Sequence, residues 1–318
     1  AHQGARANAV GNGIAVGAVE WVPSTRQPLP PPPATTFGLV VVRMPKALNQ
    51  LQDQIRSLIP FIGPETLVVG GGMTKDIHTS TIACFEHGIG STTTSPARKK
   101  ARLIMARVDP DTIAIAGSTP ASGADWIVGP TGLKFVSDPF LFSSTRVDAA
   151  SALLLDAMSS EIPLAQVTDV VDMGCGAGVI GLTLLERNRG LAVTFTDESY
   201  RAVEASRKAW EQNLNGGRLE PPVHDPVFAV DDCGSTIADR SADIVCINPP
   251  FHAAGARTLA VATRMFANSA RILRPGGRIV VVGNRHLKYH MTLRRWFAKP
   301  KVIASDRRFV VLSAESRR

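Results

Sequence analysis

The tetrapeptide Asn248-Pro249-Pro250-Phe251 has the side chains and backbone to hold a planar amine. It follows the apolar run Asp243-Ile-Val-Cys-Ile247, so it projects from the carboxyl end of a buried strand. The paired prolines stiffen the backbone and lack N–H donors, which leaves nearby carbonyls facing outward without chain partners. An Asn side-chain oxygen beside such a carbonyl gives two acceptors for the two hydrogens of an exocyclic NH2. Phe251 adds a flat apolar face for the ring that bears the amine. Alone, the tetrapeptide reads equally as a turn with Asn as a cap. Its place downstream of a glycine-rich nucleotide loop favours chemistry.

That loop is Asp172-Met-Gly174-Cys175-Gly176-Ala-Gly178, set between a strand expected over 167–173 and a helix expected over 179–187. Its glycines permit a tight strand-to-helix turn and close approach of the backbone to a ligand. Asp197 ends the next strand, 19 residues after Gly178, where a carboxylate accepts hydrogen bonds from ribose hydroxyls. The glycines are spaced by two, unlike the dinucleotide fingerprint, and the next one, Gly181, falls inside the helix. Asp172 before the loop repels a pyrophosphate but suits the cationic methionine moiety of S-adenosylmethionine (SAM), so SAM is the expected cofactor. Asp231 and Asp232 end the following strand, and Asp232 is the expected acceptor for an adenine amino group. Cys175 is read as small filler within the loop rather than as a nucleophile.

These residues need an α/β scaffold, and the chain supplies two. After the proline-rich stretch 24–36 come a strand (37–43), an amphipathic helix (46–58), a strand (66–69) followed by Gly70-Gly-Gly72, and part of a helix (82–85). This is half of a doubly wound α/β domain. Gly70–Gly72 has no acid before it and none at the next strand, so it is not a cofactor loop. A linker with short strands is expected over 113–137. A fuller α/β pattern follows, with strands at 192–196, 227–230, 243–247 and 278–282 and helices at 200–212 and 257–273. A helix over 291–297 and a hairpin of 302–305 with 309–312 close it. A mostly parallel sheet ending in such a hairpin is the expectation for a class I methyltransferase rather than a dehydrogenase.

With 318 residues and 44% apolar content, the chain has the size and composition of a two-domain globular protein. No apolar run approaches the ~18 residues that span a bilayer. Four irregularly spaced cysteines without a CxxC pair, and histidines without ligand spacing, predict reduced thiols, no metal and a cytoplasmic location. The net charge of +8 is uneven: residues 264–318 hold 14 Lys+Arg against two acids, a net of +12, which leaves −4 for the rest. A basic terminal segment suits a polyanion, most simply nucleic acid, though it also serves solubility.

The chain resembles the bacterial ribosomal RNA guanine-N2 methyltransferases over essentially its whole length. The resemblance rests on Asp172-Met-Gly-Cys-Gly-Ala-Gly-Val-Ile-Gly181, Val193-Thr-Phe-Thr-Asp-Glu-Ser199, Asn248-Pro-Pro-Phe-His252, Gly283-Asn-Arg-His-Leu-Lys-Tyr289 and Arg308-Phe-Val-Val-Leu312. In the first half it rests on Arg43-Met-Pro-Lys-Ala-Leu48, Lys75-Asp-Ile-His-Thr-Ser80 and Lys99-Lys-Ala-Arg-Leu103. The Asn-Arg-His-Leu and Lys-Asp-Ile-His stretches look most like the 23S rRNA type. The resemblance implies two tandem Rossmann-like domains: residues 1–136 degenerate and starting mid-fold, and residues 137–318 catalytic, SAM-dependent and monomeric. It implies methylation of a guanine N2, with Lys75, Lys99, Lys100 and Arg102 on RNA phosphates. Two departures stand out: Asp232 where relatives tend to carry Asn, and Arg146 where a glycine is expected. Other readings are a 16S guanine or another nucleic-acid or protein amino group as acceptor, or a non-catalytic assembly factor. The basic terminus leans away from protein, and the intact loop and Asn248 lean away from an assembly factor.

Overall fold

The computed structural model describes residues 36–45, 47–118, 125–138, 141, 147–250 and 256–317. They form two compact units that divide at residue 123. The first holds strand β1 (Leu39–Arg43), helix α1 (Leu48–Leu58), β2 (Leu67–Met73), α2 (Thr79–Gly88), β3 (Thr92–Thr94), β4 (Ala101–Arg107) and α3 (Pro110–Ser118). Its sheet runs β1-β2-β4-β3. β1 and β2 are parallel, joined across α1, whereas β4 returns antiparallel to β2 and β3 antiparallel to β4. The apolar stripe of α1 buries Leu51 and Ile55 with Val68, Phe85 and Ile104. Two expectations change here. Gly70–Gly72 lies within β2, paired with Arg102–Ile104, and a Cβ on Gly70 would come within 2.6 Å of the Phe85 ring. Gly70 makes room for a core aromatic, and Gly72 for the Met44 side chain. The region from 113, expected as linker, begins as α3.

The second unit begins with a hairpin, β5 (Asp125–Val128) and β6 (Lys134–Ser137), followed by α4 (Ala149–Glu161) and β7 (Asp169–Met173). Next come α5 (Val179–Arg187), β8 (Ala192–Asp197), α6 (Tyr200–Asn215), β9 (Val227–Val230), β10 (Ala242–Ile247) and α7 (Ala256–Ile272). β11 (Leu273–Asn284), α8 (Tyr289–Leu293), β12 (Phe297–Ser305) and β13 (Phe309–Ser316) complete it. The hairpin precedes the boundary expected at 136–137 yet belongs with this unit. The Asn213 amide on α6 clamps it, accepting from Lys134 N at 2.8 Å and donating to Lys134 O at 2.7 Å.

The seven strands run β12-β13-β11-β10-β7-β8-β9. All pairs are parallel except those of β13, which is antiparallel to both β11 and β12. The chain leaves β7 for β8 on one side and later places β10 on the other. The carboxyl end of β7 is therefore the topological switch point, where open α/β sheets bind ligands. Of the expected elements, the terminal helix ends early: α8 stops at Leu293, and fully buried Phe297 opens β12. α4 has no counterpart among the expected elements. Ala150, Ser151, Leu154, Leu155, Ala157 and Met158 are buried, and the opposite face holds Ala149, Ala152 and Leu153 before its first charge at Asp156, so no polar period marks the helix in sequence.

Candidate active site

Four chain segments leave the carboxyl ends of β7, β8, β9 and β10 beside one another and enclose a cavity of about 360 Å³. The β7 segment turns through Gly174, Gly176 and Gly178, whose φ angles of 78°, 54° and 81° lie in the left-handed region that favours glycine. The turn is tied to the next strand, since Gly174 N and Cys175 N both donate to Thr196 O, at 2.7 and 2.9 Å. Gly174, Cys175 and Gly176 line the cavity. Cys175 is buried, and burial, with Asp172 and Asp197 nearby, pushes its thiol well above the ordinary value. It accepts a hydrogen bond from Ser206 Oγ at 3.3 Å. The thiol is packed within the turn and held in its neutral form.

Asp197 stands at the end of β8 as expected and lines the cavity. Its Oδ2 accepts from Gly176 N at 3.2 Å and its Oδ1 from Ser199 N at 2.9 Å. Burial raises its pKa, and the backbone donors oppose that rise. Asp172 is placed differently from the expectation. It lies behind the glycine turn, 1% exposed and outside the cavity lining, with Oδ2 accepting from Gly181 N at 2.9 Å and Oδ1 unpartnered. Burial drives its carboxyl up to about 7; the Gly181 N–H lowers it and Asp197 adds to the rise. At the end of β9 the two acids divide their work. Asp231 is buried and takes four bonds from the N–H and hydroxyl groups of Ser235 and Thr236, which closes a turn. Asp232 lines the cavity, and both its oxygens are bridged by Arg264 of α7 at 2.8 and 3.0 Å. The predicted adenine acceptor thus already holds a guanidinium.

Asn248, Pro249 and Pro250 line the same cavity; Phe251 and Arg146 lie outside the described residues. The Asn248 Nδ2 donates to Asp148 Oδ2 and to Ser151 Oγ, each at 2.9 Å. A carboxylate only accepts, so the amide nitrogen must face Asp148 and the Oδ1 must face away from it. That Oδ1 is buried and has no partner. A buried acceptor left so costs about 1–3 kcal/mol, which a ligand N–H would recover. Sequence reasoning missed Asp148 and Ser151. The available signal was an Asp ahead of an Ala/Leu/Met-rich run, the mark of a helix N-terminus: Asp148 caps α4 by accepting from Ser151 N at 3.2 Å.

The donor set fits SAM. Among the described residues, the lining carries Asp148, Asp197, Glu198, Asp231 and Asp232 but no Lys or Arg. Such a wall suits a sulfonium and an ammonium and disfavours a polyphosphate. The described residues hold no cluster of metal-ligating side chains and no helix long and apolar enough to cross a membrane.

The methyltransferase small domain family matches residues 132–313, and the RLMG N-terminal domain family matches residues 1–110. The ribosomal RNA large subunit methyltransferase G of Streptomyces coelicolor is 39% identical over 316 residues, covering 99% of this chain and 80% of that protein. The protein of that name from Aeromonas salmonicida is also 39% identical, over 91% of this chain and 73% of its own length. The chain belongs to this family. It is a SAM-dependent methyltransferase. Its fold agrees with that of the T. thermophilus 16S rRNA N2 methyltransferase RsmC, solved with AdoMet and guanosine: the TM-score is 0.73 at 23% identity, over 90% of this chain and 75% of that one. In the first unit of this methyltransferase, Lys75, Lys99, Lys100 and Arg102 gather at one end of the β2–β4 pair. Thr74 N donates to Lys100 O at 2.9 Å, and Gly72 is paired with Arg102.

Proposed function

We propose that this methyltransferase moves the SAM methyl group onto the exocyclic N2 of a guanine in 23S rRNA, and that Asn248 and Pro249 hold that amine. The observation that carries the reading is the Asn248 Oδ1, a buried acceptor without a partner in the wall of the cofactor cavity. With the adjacent Pro249 carbonyl it accepts from the two amine hydrogens and aims the nitrogen lone pair into the cavity. The C–N bond forms as the sulfonium S–CH3 bond breaks to leave a neutral thioether, and the amine releases one proton to water; orientation carries most of the acceleration, so no strongly basic side chain is required. SAM, when bound, supplies an electrophilic methyl carbon on a sulfonium. Asp197 takes the ribose hydroxyls, and Gly174, Cys175 and Gly176 provide the floor against which the cofactor lies. Asp172 acts from behind by fixing the start of α5 through Gly181. Asp232, already paired to Arg264, forms the wall at the adenine end and presents its remaining lone pairs to the adenine amine. Phe251 stacks on the base, an interaction worth roughly 1–3 kcal/mol. Lys75, Lys99, Lys100 and Arg102 of the first unit grip RNA phosphates. The enzyme works as a metal-free monomer in the cytoplasm.

Asn248→Ala tests the reading. Turnover on unmethylated 23S rRNA should fall at least about 100-fold while SAM affinity, read by calorimetry, stays within a few-fold. Native turnover in this variant, or a loss confined to SAM affinity, overturns the role of Asn248.

A further inference from the structure

Asn248 has a partner whose function goes beyond packing. An asparagine amide can be turned about its last torsion at little cost, and the two settings have opposite chemistry: one presents an acceptor to the cavity, the other presents donors. An exocyclic amine needs the first, whereas a ring carbonyl would be held by the second. The setting is fixed here by α4. The Asp148 Oδ2 and the Ser151 Oγ each take a hydrogen from the Asn248 Nδ2 at 2.9 Å. Asp148 also caps α4 by accepting from Ser151 N at 3.2 Å, so the clamp and the helix start are one construction. Ser151 is buried within the first turn of α4, and Asp148, Ser151 and Asn248 all border the cavity.

We propose that Asp148, seconded by Ser151, is a positioning residue that locks the Asn248 amide with its oxygen toward the substrate, making the site select an amine over a carbonyl. This deepens the role given to Asn248 above and rests on it. Turning the amide around would set its oxygen against the Asp148 carboxylate, acceptor against acceptor, and would abandon a charge-assisted hydrogen bond. The carboxylate also polarises the amide and increases the negative character of Oδ1, so the oxygen accepts more strongly from the amine.

Two substitutions separate positioning from helix capping. Asp148→Ser keeps a good cap residue but substitutes a short hydroxyl that both donates and accepts, so the amide is no longer held one way. Asp148→Asn keeps the cap and a neutral acceptor. We expect Asp148→Ser to lower kcat on unmethylated 23S rRNA by about 10- to 100-fold at saturating SAM, with KM for RNA and Tm near native and SAM affinity, which loses one of five wall carboxylates, within a few-fold. Asp148→Asn should recover part of that loss. Native kcat in Asp148→Ser, or a loss that follows Tm or SAM affinity, overturns the proposal. Asn248→Ala measured alongside distinguishes the two levels. If it is inactive while Asp148→Ser is native, only the positioning role falls. If it retains full turnover, the reading of Asn248 falls and the positioning role with it.

Discussion

Asp172 shows at the residue scale how a side chain can stand behind a cavity wall without lining it. Its Oδ2 fixes Gly181 N at the start of α5, its Oδ1 is unpartnered, and the carboxyl is 1% exposed. A buried carboxylate with one hydrogen bond favours its neutral form, hence the rise to about 7, and Asp197 shifts the same way through burial. Both groups bind protons more tightly folded than unfolded. Their stabilisation is therefore complete below about pH 4 and is lost as pH rises, for Asp172 through about 7. The cofactor-free protein should lose thermal stability between about pH 4 and 7, and Asp172→Asn should flatten most of that slope. An unchanged slope in the variant would place its origin elsewhere. Asp197→Ala should behave in the opposite sense to Asn248→Ala: SAM affinity falls by about tenfold or more, and turnover recovers at saturating SAM. Titration calorimetry with turnover at two SAM concentrations checks this pair.

At the scale of elements, the turn joining Arg98 to Ala101 sets stability against charge. Lys99 and Lys100 both adopt left-handed backbone, φ 49° and 61°, in a two-residue connection that asparagine and glycine fill more readily. Replacing both by glycine should stabilise the protein by roughly 1 kcal/mol. The same change should weaken RNA binding and make its salt dependence shallower, since it removes two cations from the phosphates. Thermal unfolding and a salt titration of binding read the two effects. If stability rises and RNA affinity holds, the turn does not grip RNA. How far such elements can be read from sequence depends on what marks them. α5 and β9 match their expected bounds because glycines or acids flank a clear apolar pattern. Asp197 and Asn248 were legible for the same reason, each ending an apolar strand. α4 was not, because its less buried face opens with Ala149, Ala152 and Leu153, so no polar period marks it, and the Asp148 cap was the sign left to read. Asp172 was read for its charge, but no sequence signal reveals that its carboxyl turns back toward Gly181. The bridge from Arg264 to Asp232 joins residues 32 positions apart and needs the folded sheet to be seen.

Over the whole catalytic unit, the charge imbalance resolves by the edge of the sheet on which each residue falls. Of the 14 basic residues after position 263, Arg264, Arg271, Arg274 and Arg278 are spent on Asp232, Asp239, the Asp169–Asp243 pair and Glu315. β11 runs parallel to β10, so its last residue, Asn284, lies at the same edge as Asn248. β13 pairs antiparallel with β11, with Asn284 opposite Phe309, which brings the β12–β13 connection to that edge as well. Arg285 N donates to Arg308 O at 3.1 Å and joins the two segments. Arg285, Lys288, Arg307 and Arg308 all fall at this edge, whereas Arg317, one residue beyond β13, falls at the opposite edge, where Phe297 is paired with Ser316. An RNA whose base reaches Asn248 would find the first group along the same edge of the sheet, and the acidic cavity between Asp148 and Asp232 would repel phosphates from the cofactor's place. Neutralising Arg285, Lys288, Arg307 and Arg308 together should weaken 23S rRNA binding and reduce the slope of log affinity against log salt by about 0.7–0.9 for each phosphate no longer neutralised. Neutralising Arg317 should leave both unchanged. Equal effects from the two edges would mean that the basic segment attracts RNA only through its net charge, with no path for the strand toward Asn248.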